Sequence, residues 1–191
     1  MKIVLASTSP YRKQLLERFQ LDFDTARPET DETAHPDEAP AALAERLATE
    51  KALAVARTTD DALVIGSDQV ACIGSEIFGK PGTVERAIAQ LHRLSGEEVI
   101  FHTAVAVINS STAHVQCENV MTRVRFRVLG DAEIRRYVAT ERPLDCAGSA
   151  KSEGLGITLL QALSGDDPTA LIGLPLIALA RMLRAEGVQL P

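Results

Sequence analysis

The feature that most constrains the fold is a strand-to-helix turn near the N-terminus, Ala6-Ser7-Thr8-Ser9-Pro10-Tyr11-Arg12. Residues 2–6 form an apolar run with β-branched residues at its centre, which predicts a short buried strand. Ser9 suits the N-cap of a helix and Pro10 suits its first turn, and apolar residues follow at helical spacing. The chain therefore begins with a strand followed directly by a helix, as expected of an α/β protein.

The same turn is a candidate anion site. The first N–H groups of a helix have no backbone partner and lie at the positive end of the helix dipole. The hydroxyls of Ser7 and Ser9 add hydrogen-bond donors, and Arg12 adds a fixed positive charge. These groups favour a phosphate, although an ordinary capped helix with a surface arginine has the same pattern.

The rest of the chain alternates between strand and helix patterns. The patterns predict strands at 21–24, 62–66 with a continuation at 70–73, 99–108, 115–128 and 157–163. They predict helices at 41–57, 83–94, 131–139 capped by Asp131, and about 175–186. Gly74-Ser75 predicts a hairpin turn. We expect a single α/β domain, residues 1–191, around a mixed sheet.

Composition excludes several classes of partner. The chain has 191 residues and a net charge of −6, which argues against a general binder of nucleic acid polymers or anionic membranes. No apolar run is long enough to span a bilayer, and the N-terminus lacks an export pattern, so we expect a cytoplasmic protein. The odd number of cysteines, without Cys-x-x-Cys spacing, indicates reduced thiols and no zinc site. The four histidines also show no ligand spacing.

Charged residues inside apolar or rigid segments are the remaining candidates. Asp68 interrupts an apolar strand pair, which is costly unless the carboxylate is paired or metal-bound; the alternative is a turn-capping aspartate. Lys80 ends a Gly-x-x-x-x-Gly-Lys pattern, but Pro81 stands where a P-loop needs Ser or Thr, so we reject a P-loop. Lys80 remains a candidate phosphate ligand. For Lys51, on a predicted helix, the ordinary expectation is an exposed side chain.

Six short motifs occur in order along the chain. They are Ser7-x-Ser9-Pro10-x-Arg12, Asp31-Glu32, Glu50-Lys51-Ala52, Gly66-Ser67-Asp68-Gln69, Gly79-Lys80-Pro81 and Ala147-Gly148-Ser149. Together they resemble the Maf family of nucleoside triphosphate pyrophosphatases nearly end to end. The resemblance implies a long twisted mixed sheet flanked by helices, with two lobes around a cleft, and often a homodimer. It also implies metal-assisted hydrolysis of a nucleoside triphosphate to the monophosphate and pyrophosphate.

The candidate residues fit that chemistry. Arg12, Lys51 and Lys80 are three positive charges from separate segments, suited to clamping a triphosphate together with Ser7 and Ser9. The carboxylates of Glu32 and Asp68 are hard oxygen donors suited to Mg²⁺ or Mn²⁺. By family analogy Asp68 is the proton acceptor for the attacking water. Whether Asp68 also binds metal directly stays open.

Three further positions bear on the choice of base. The dTTP/UTP branch of the family has Arg, Thr and Gln where this chain has Tyr11, Gln69 and Glu153, so the chain is more similar to the 7-methyl-GTP branch, which more often has Trp in place of Tyr11. We expect Tyr11 to stack on the cationic base and Glu153 to accept from its N–H donors, with Gln69 at the remaining edge atoms. The alternatives are a dTTP/UTP pyrophosphatase, or a nucleotide-binding regulator of septum formation with little hydrolysis.

Overall fold

The computed structural model describes all of residues 1–191 and shows a mixed α/β protein, as predicted. The strands are β1 (Lys2–Ala6), β2 (Asp24–Ala26), β3 (Ala62–Ile73), β4 (Glu76–Phe78), β5 (Glu98–Asn109), β6 (Val115–Phe126) and β7 (Leu160–Gly165). The helices are α1 (Pro10–Glu17), α2 (Pro40–Ala56), α3 (Val84–Leu94), α4 (Asp131–Glu141) and α5 (Leu176–Ala185). None of the helices has the length and apolar character needed to cross a bilayer.

The strands form one mixed sheet in the order β2-β1-β3-β5-β6-β7, and β4 pairs with β3. Strand β1 is parallel to both β2 and β3, and α1 and α2 form the connections that parallel strands require. Strand β7 is antiparallel to β6. The pair β3–β4 is also antiparallel, and Gly74 in the turn between them has φ +59°, so the predicted hairpin turn is confirmed.

The chain divides into two compact units. The first comprises residues 1–69, 103–120 and 167–191, and its core packs α1 and α5 against β1, β3 and β5 through fully buried side chains such as Leu5, Leu16, Ile65 and Leu179. The second comprises residues 70–102 and 121–166. Its buried side chains include Leu91 and Leu94 of α3, Phe101, Phe126 and Ile134.

Two strand predictions in the first unit were wrong. The strand predicted at 21–24 lies at Asp24–Ala26, because Leu21 and Phe23 pack against the apolar core instead of pairing with β1. The predicted interruption at 67–69 does not occur, and β3 is continuous. Polar side chains are tolerated there because each has a partner: Ser67 Oγ lies 2.8 Å from Ala104 O, for example.

Two boundaries in the second unit also differ. The N-cap of α4 is Gly130, not Asp131, whose carboxylate instead accepts from His92 Nε2 at 3.0 Å and Arg135 Nε at 2.7 Å. The strand predicted at 157–163 begins only at Leu160 and extends to Gly165. A 3₁₀ turn, Leu155–Leu159, precedes it, because the chain first turns tightly on Lys151 O.

Candidate active site

The N-terminal turn has the predicted geometry. Ser9 is the N-cap of α1, its Oγ accepts from Arg12 N at 3.4 Å, and a proline occupies the first turn. Ser7 Oγ accepts from Ser9 N at 3.1 Å. Both hydroxyl oxygens act as acceptors in these bonds, so their hydrogens remain available as donors to an anion.

Arg12 is anchored from the C-terminal part of the chain. Its Nε donates to Gly173 O at 2.9 Å, which leaves the two terminal nitrogens of the guanidinium for a ligand. The fully buried Ser67 Oγ also lies 2.9 Å from Gly173 O. Burial lowers the pKa of Arg12, and the negative charges of Asp68 and Glu32 oppose that shift. The arginine therefore lies within electrostatic reach of both acids.

Lys51 joins the two candidate acids. Its Nζ lies 2.6 Å from Asp68 Oδ1 and 2.7 Å from Glu32 Oε1. Lys51 is only 5% exposed and Asp68 only 8%, so the expectation of an exposed helical lysine was wrong. Helix α2, strand β3 and the loop before α2 each supply one member of this cluster, which we call the Lys51 triad.

A glycine allows Lys51 to reach the sheet. Helix α2 packs so closely on β3 that a Cβ at Gly66 would overlap the carbonyl oxygen of Ala48 and lie 2.8 Å from Ala52 N. Any side chain at this position would separate the helix from the strand. The glycine of the Gly-Ser-Asp-Gln motif therefore sets the distance at which Lys51 meets Asp68.

The side chain of Gln69 makes its hydrogen bonds within the first unit. Its Nε2 lies 3.0 Å from Thr103 Oγ1, 3.1 Å from Ala170 O and 3.0 Å from Leu171 O. The amide group thus holds the segment that precedes α5.

Tyr11 lies on the first turn of α1, where its side chain is half-buried.

Lys80 and Glu153 belong to the second unit, where both are exposed in loops. Gln90 of α3 links the loop of Lys80 to the Ala-Gly-Ser motif, because its Nε2 donates to Gly79 O at 3.0 Å and its Oε1 accepts from Ser149 Oγ at 2.6 Å.

The chain is similar to known proteins over nearly its whole length. The family model described as Maf-like protein matches residues 2–186. The chain belongs to the Maf family. A relative from Aromatoleum aromaticum is 71% identical over 190 residues, spanning 100% of this chain and 98% of the relative, and is named 7-methyl-GTP pyrophosphatase. Proteins of the same name from Polaromonas sp. (55% over 188 residues, 98% and 86% of the two chains) and Xanthomonas axonopodis pv. citri (55% over 190 residues, 100% and 99%) are also similar.

In this Maf protein the first unit gathers four of the predicted residues, namely Arg12, Glu32, Lys51 and Asp68. The two carboxylates lie within hydrogen-bond distance of one atom, Lys51 Nζ, and are hard oxygen donors. No third aspartate, glutamate, histidine or cysteine gathers with them into a metal-binding group. The donor set therefore fits Mg²⁺ or Mn²⁺ in the manner usual for nucleotide sites, with one or two carboxylates and the other ligands from water and phosphate.

Several residues that hold the loops and helices in place were not predicted from the sequence, among them Asp167, Thr169 and Tyr137. Asp167 and Thr169 are buried before α5: Asp167 Oδ1 accepts from Thr169 Oγ1 at 2.6 Å, and its Oδ2 accepts from Ile177 N at 2.7 Å. An Asp-Pro-Thr sequence shortly before an apolar helix was the available signal for this cap. In the second unit, Tyr137 Oη accepts from Lys151 N and donates to Ser149 O, both at 3.1 Å. Nothing in the local sequence indicates that role.

Proposed function

We propose that this chain is a nucleoside triphosphate pyrophosphatase that hydrolyses 7-methyl-GTP to the monophosphate and pyrophosphate. The observation that carries the proposal is the 71% identity, over the whole chain, to a relative named for this activity. Membership of the Maf family over residues 2–186 supports the same reaction class.

The charges of the first unit suit phosphoryl chemistry. Cleavage between the α- and β-phosphates spreads negative charge over phosphate oxygens in the transition state, so catalysis depends on positioned positive charge. Arg12 offers its terminal nitrogens beside the donors of the N-terminal turn, and these groups hold phosphate in our proposal together with Lys51 and Lys80. Because Arg12 Nε donates to Gly173 O, the guanidinium group faces the phosphate in one orientation.

Asp68 is the proposed base. Its Oδ1 is bonded to Lys51, so Oδ2 is the oxygen that takes the proton of the attacking water. A divalent Mg²⁺ or Mn²⁺ held by Glu32 would polarise a phosphate oxygen, and Asp68 would be its second ligand only in place of its role as the base.

Recognition of the base falls to Tyr11 and Glu153. An N7-methylated guanine carries positive charge, which an aromatic face attracts, and Tyr11 directly precedes the phosphate-binding Arg12. The Glu153 carboxylate accepts from the N1–H and N2–H₂ groups of guanine, which thymine and uracil do not present as a pair. Gln69 contributes through its carbonyl oxygen, since its amide nitrogen is engaged with Thr103 and the segment before α5. On the family resemblance we also propose a homodimer, and from the cysteine usage and the N-terminal pattern we propose a cytoplasmic location.

The test is kcat/KM for 7-methyl-GTP, GTP, dTTP and UTP, with pyrophosphate as the measured product and Mg²⁺ or Mn²⁺ added. We expect the wild type to prefer 7-methyl-GTP. Tyr11→Ala should mainly weaken turnover of the methylated substrate, and Glu153→Gln should narrow the gap to dTTP and UTP. Glu85→Gln, at an exposed glutamate of α3, is the matched control.

Three outcomes would contradict parts of the proposal. A wild-type preference for dTTP would assign the chain to the other branch. An unchanged substrate ranking in Glu153→Gln would remove that residue from base recognition. Binding of all four nucleotides without turnover would favour the regulator of septum formation.

A further inference from the structure

The loop that carries Glu32 has no helix or strand of its own. It runs over residues 27–39, between the end of β2 and the start of α2. Loops of this length without secondary structure are uncommon in compact domains and are often functional. Glu32 is the only residue of this loop in the Lys51 triad, and its side chain is 56% exposed. Something other than burial must therefore hold its carboxylate beside Lys51.

Arg46 of α2 forms hydrogen bonds to two residues of this loop, Glu38 and Thr33. Its Nε and Nη2 lie 2.7 Å from Glu38 Oε1 and 2.8 Å from Glu38 Oε2, a bidentate pair in which both side chains are largely buried, at 18% and 10% exposed. Nη2 also donates to Thr33 O at 3.0 Å. The third nitrogen, Nη1, is 3.1 Å from Glu50 Oε2 on the same helix, which fixes the orientation of the fork.

These bonds act on the backbone next to Glu32. Thr33 follows Glu32 directly, and its N–H donates to Asp31 Oδ1 at 2.9 Å. Glu38 Oε2 also accepts from His35 N at 3.0 Å. The bond to Arg46 lowers the pKa of Glu38 to about 2, so the pair stays ionised at neutral pH. The same helix thus supplies both the anchor of the loop and Lys51, the partner of Glu32.

We propose that Arg46 is a positioning residue that holds the loop of residues 27–39 so that the Glu32 carboxylate meets Lys51 and Asp68. Its effect on turnover rests on the proposed function, but its effect on the loop does not. A surface ion pair with no such role would contribute little to turnover or to the order of the loop.

The first experiment measures hydrogen exchange of the backbone amides over residues 29–38, without any nucleotide. Arg46→Ala should increase their exchange by about tenfold or more, because the bonds to Glu38 and Thr33 O are lost. Arg57→Ala removes the same charge from an exposed position at the C-cap of α2 and should change nothing. Unchanged exchange in Arg46→Ala would overturn the proposal, even if the protein proves not to be a pyrophosphatase.

The second experiment is a double-mutant cycle with Glu32→Gln, measured as kcat/KM for 7-methyl-GTP. Arg46→Ala should reduce kcat/KM by about 10- to 100-fold in the wild-type background, the scale for residues that orient a ligand of the site. It should change kcat/KM by less than about twofold when Glu32 is already glutamine. An equal loss in both backgrounds would show that Arg46 does not act through Glu32.

Arg46→Lys separates charge from geometry. It keeps the positive charge but cannot form the bidentate bond, so we expect it to show most of the loss of Arg46→Ala in both experiments. Should the alanine variant fail to fold by circular dichroism, the lysine variant supplies the same comparisons. Wild-type hydrogen exchange and wild-type kcat/KM in Arg46→Lys would refute the role of the bidentate bond to Glu38. Absence of any nucleotide hydrolysis by the wild type would instead refute the proposed function.

Discussion

Replacing Lys51 by methionine tests the triad most directly, because methionine keeps an unbranched apolar side chain of similar length and lacks the ammonium. Asp68, which is 8% exposed, would lose its 2.6 Å partner inside β3. Removing one partner of a buried ion pair typically costs about 3–5 kcal/mol. Glu32 can return to water and Arg12 remains within electrostatic reach of Asp68, so we expect the low end, about 3 kcal/mol.

Urea unfolding measures this loss, and a thermal scan should show a Tm lower by about 6–12 °C, given about 2–4 °C per kcal/mol for a chain of this size. Lys13→Met is the control, since Lys13 is an exposed helical lysine whose nearest carboxylate is Glu17 at 3.9 Å. It should change the free energy of unfolding by less than about 0.5 kcal/mol.

The double variant Lys51→Met/Asp68→Asn distinguishes the ion pair from simple loss of packing. The neutral amide that replaces the Asp68 carboxylate no longer needs a cation, so the double variant should be more stable than the sum of the single changes by about 2 kcal/mol. A coupling energy below about 0.5 kcal/mol, or a Lys51→Met variant as stable as Lys13→Met, would refute the triad as a buried ionic cluster.

Three further predictions concern the same chain. Asp68→Asn should fold normally by circular dichroism yet reduce kcat for pyrophosphate release by about a hundredfold or more. Near-normal turnover in this variant would exclude Asp68 as the base. Gly66→Ala should lower the free energy of unfolding in urea by about 3 kcal/mol or more, because the added Cβ overlaps the α2 backbone. Gly79→Ala, which has open space around it, should leave the free energy of unfolding nearly unchanged. Equal effects of the two substitutions would contradict the close packing of α2 on β3. Hydrogen bonds, led by that of Asn109, lower the pKa of Glu186, so its stabilisation is present above its unfolded pKa and is lost as pH falls through the folded pKa. Glu186→Gln should therefore show a smaller loss of Tm than the wild type between about pH 7 and about pH 3, and an equal loss would contradict this.

Local signals predicted the secondary structure of the N-terminal turn. The strand, the Ser9 cap and the proline of the first helical turn each depend on neighbouring residues only, and the structure confirms all three. The cost of burying a carboxylate identified Asp68 as a residue with a partner, which the structure also bears out. The same polar residues falsely predicted a break in β3, because the sequence does not show that Ser67 finds Ala104 O on the neighbouring strand.

The positioning residues depend on contacts far apart in sequence. Lys51 is buried because α2 fits against Gly66, and no local pattern distinguishes it from an exposed helical lysine. Arg46 and Gln90 also look like ordinary residues on helix surfaces, and their partners lie in separate loops. Residue type and motif identify the residues that carry chemistry, but local patterns do not identify positioning residues such as Arg46 and Gln90, whose loop partners lie outside their own helices.

The charge balance of the first unit leads to a last prediction. Arg12 and Lys51 are matched by Asp68 and Glu32, so the cluster has no net positive charge, and the chain as a whole carries −6. In the proposed reaction a triphosphate, with several negative charges, would therefore need an additional cation, and we propose that a divalent metal supplies it. Glu32→Gln removes one negative charge from the cluster, so it should tighten nucleotide binding in the presence of a chelator, as measured by calorimetry, and weaken metal-dependent turnover. Weaker metal-free binding in this variant would show that Glu32 does not repel the phosphates, and the charge argument for the metal would fail.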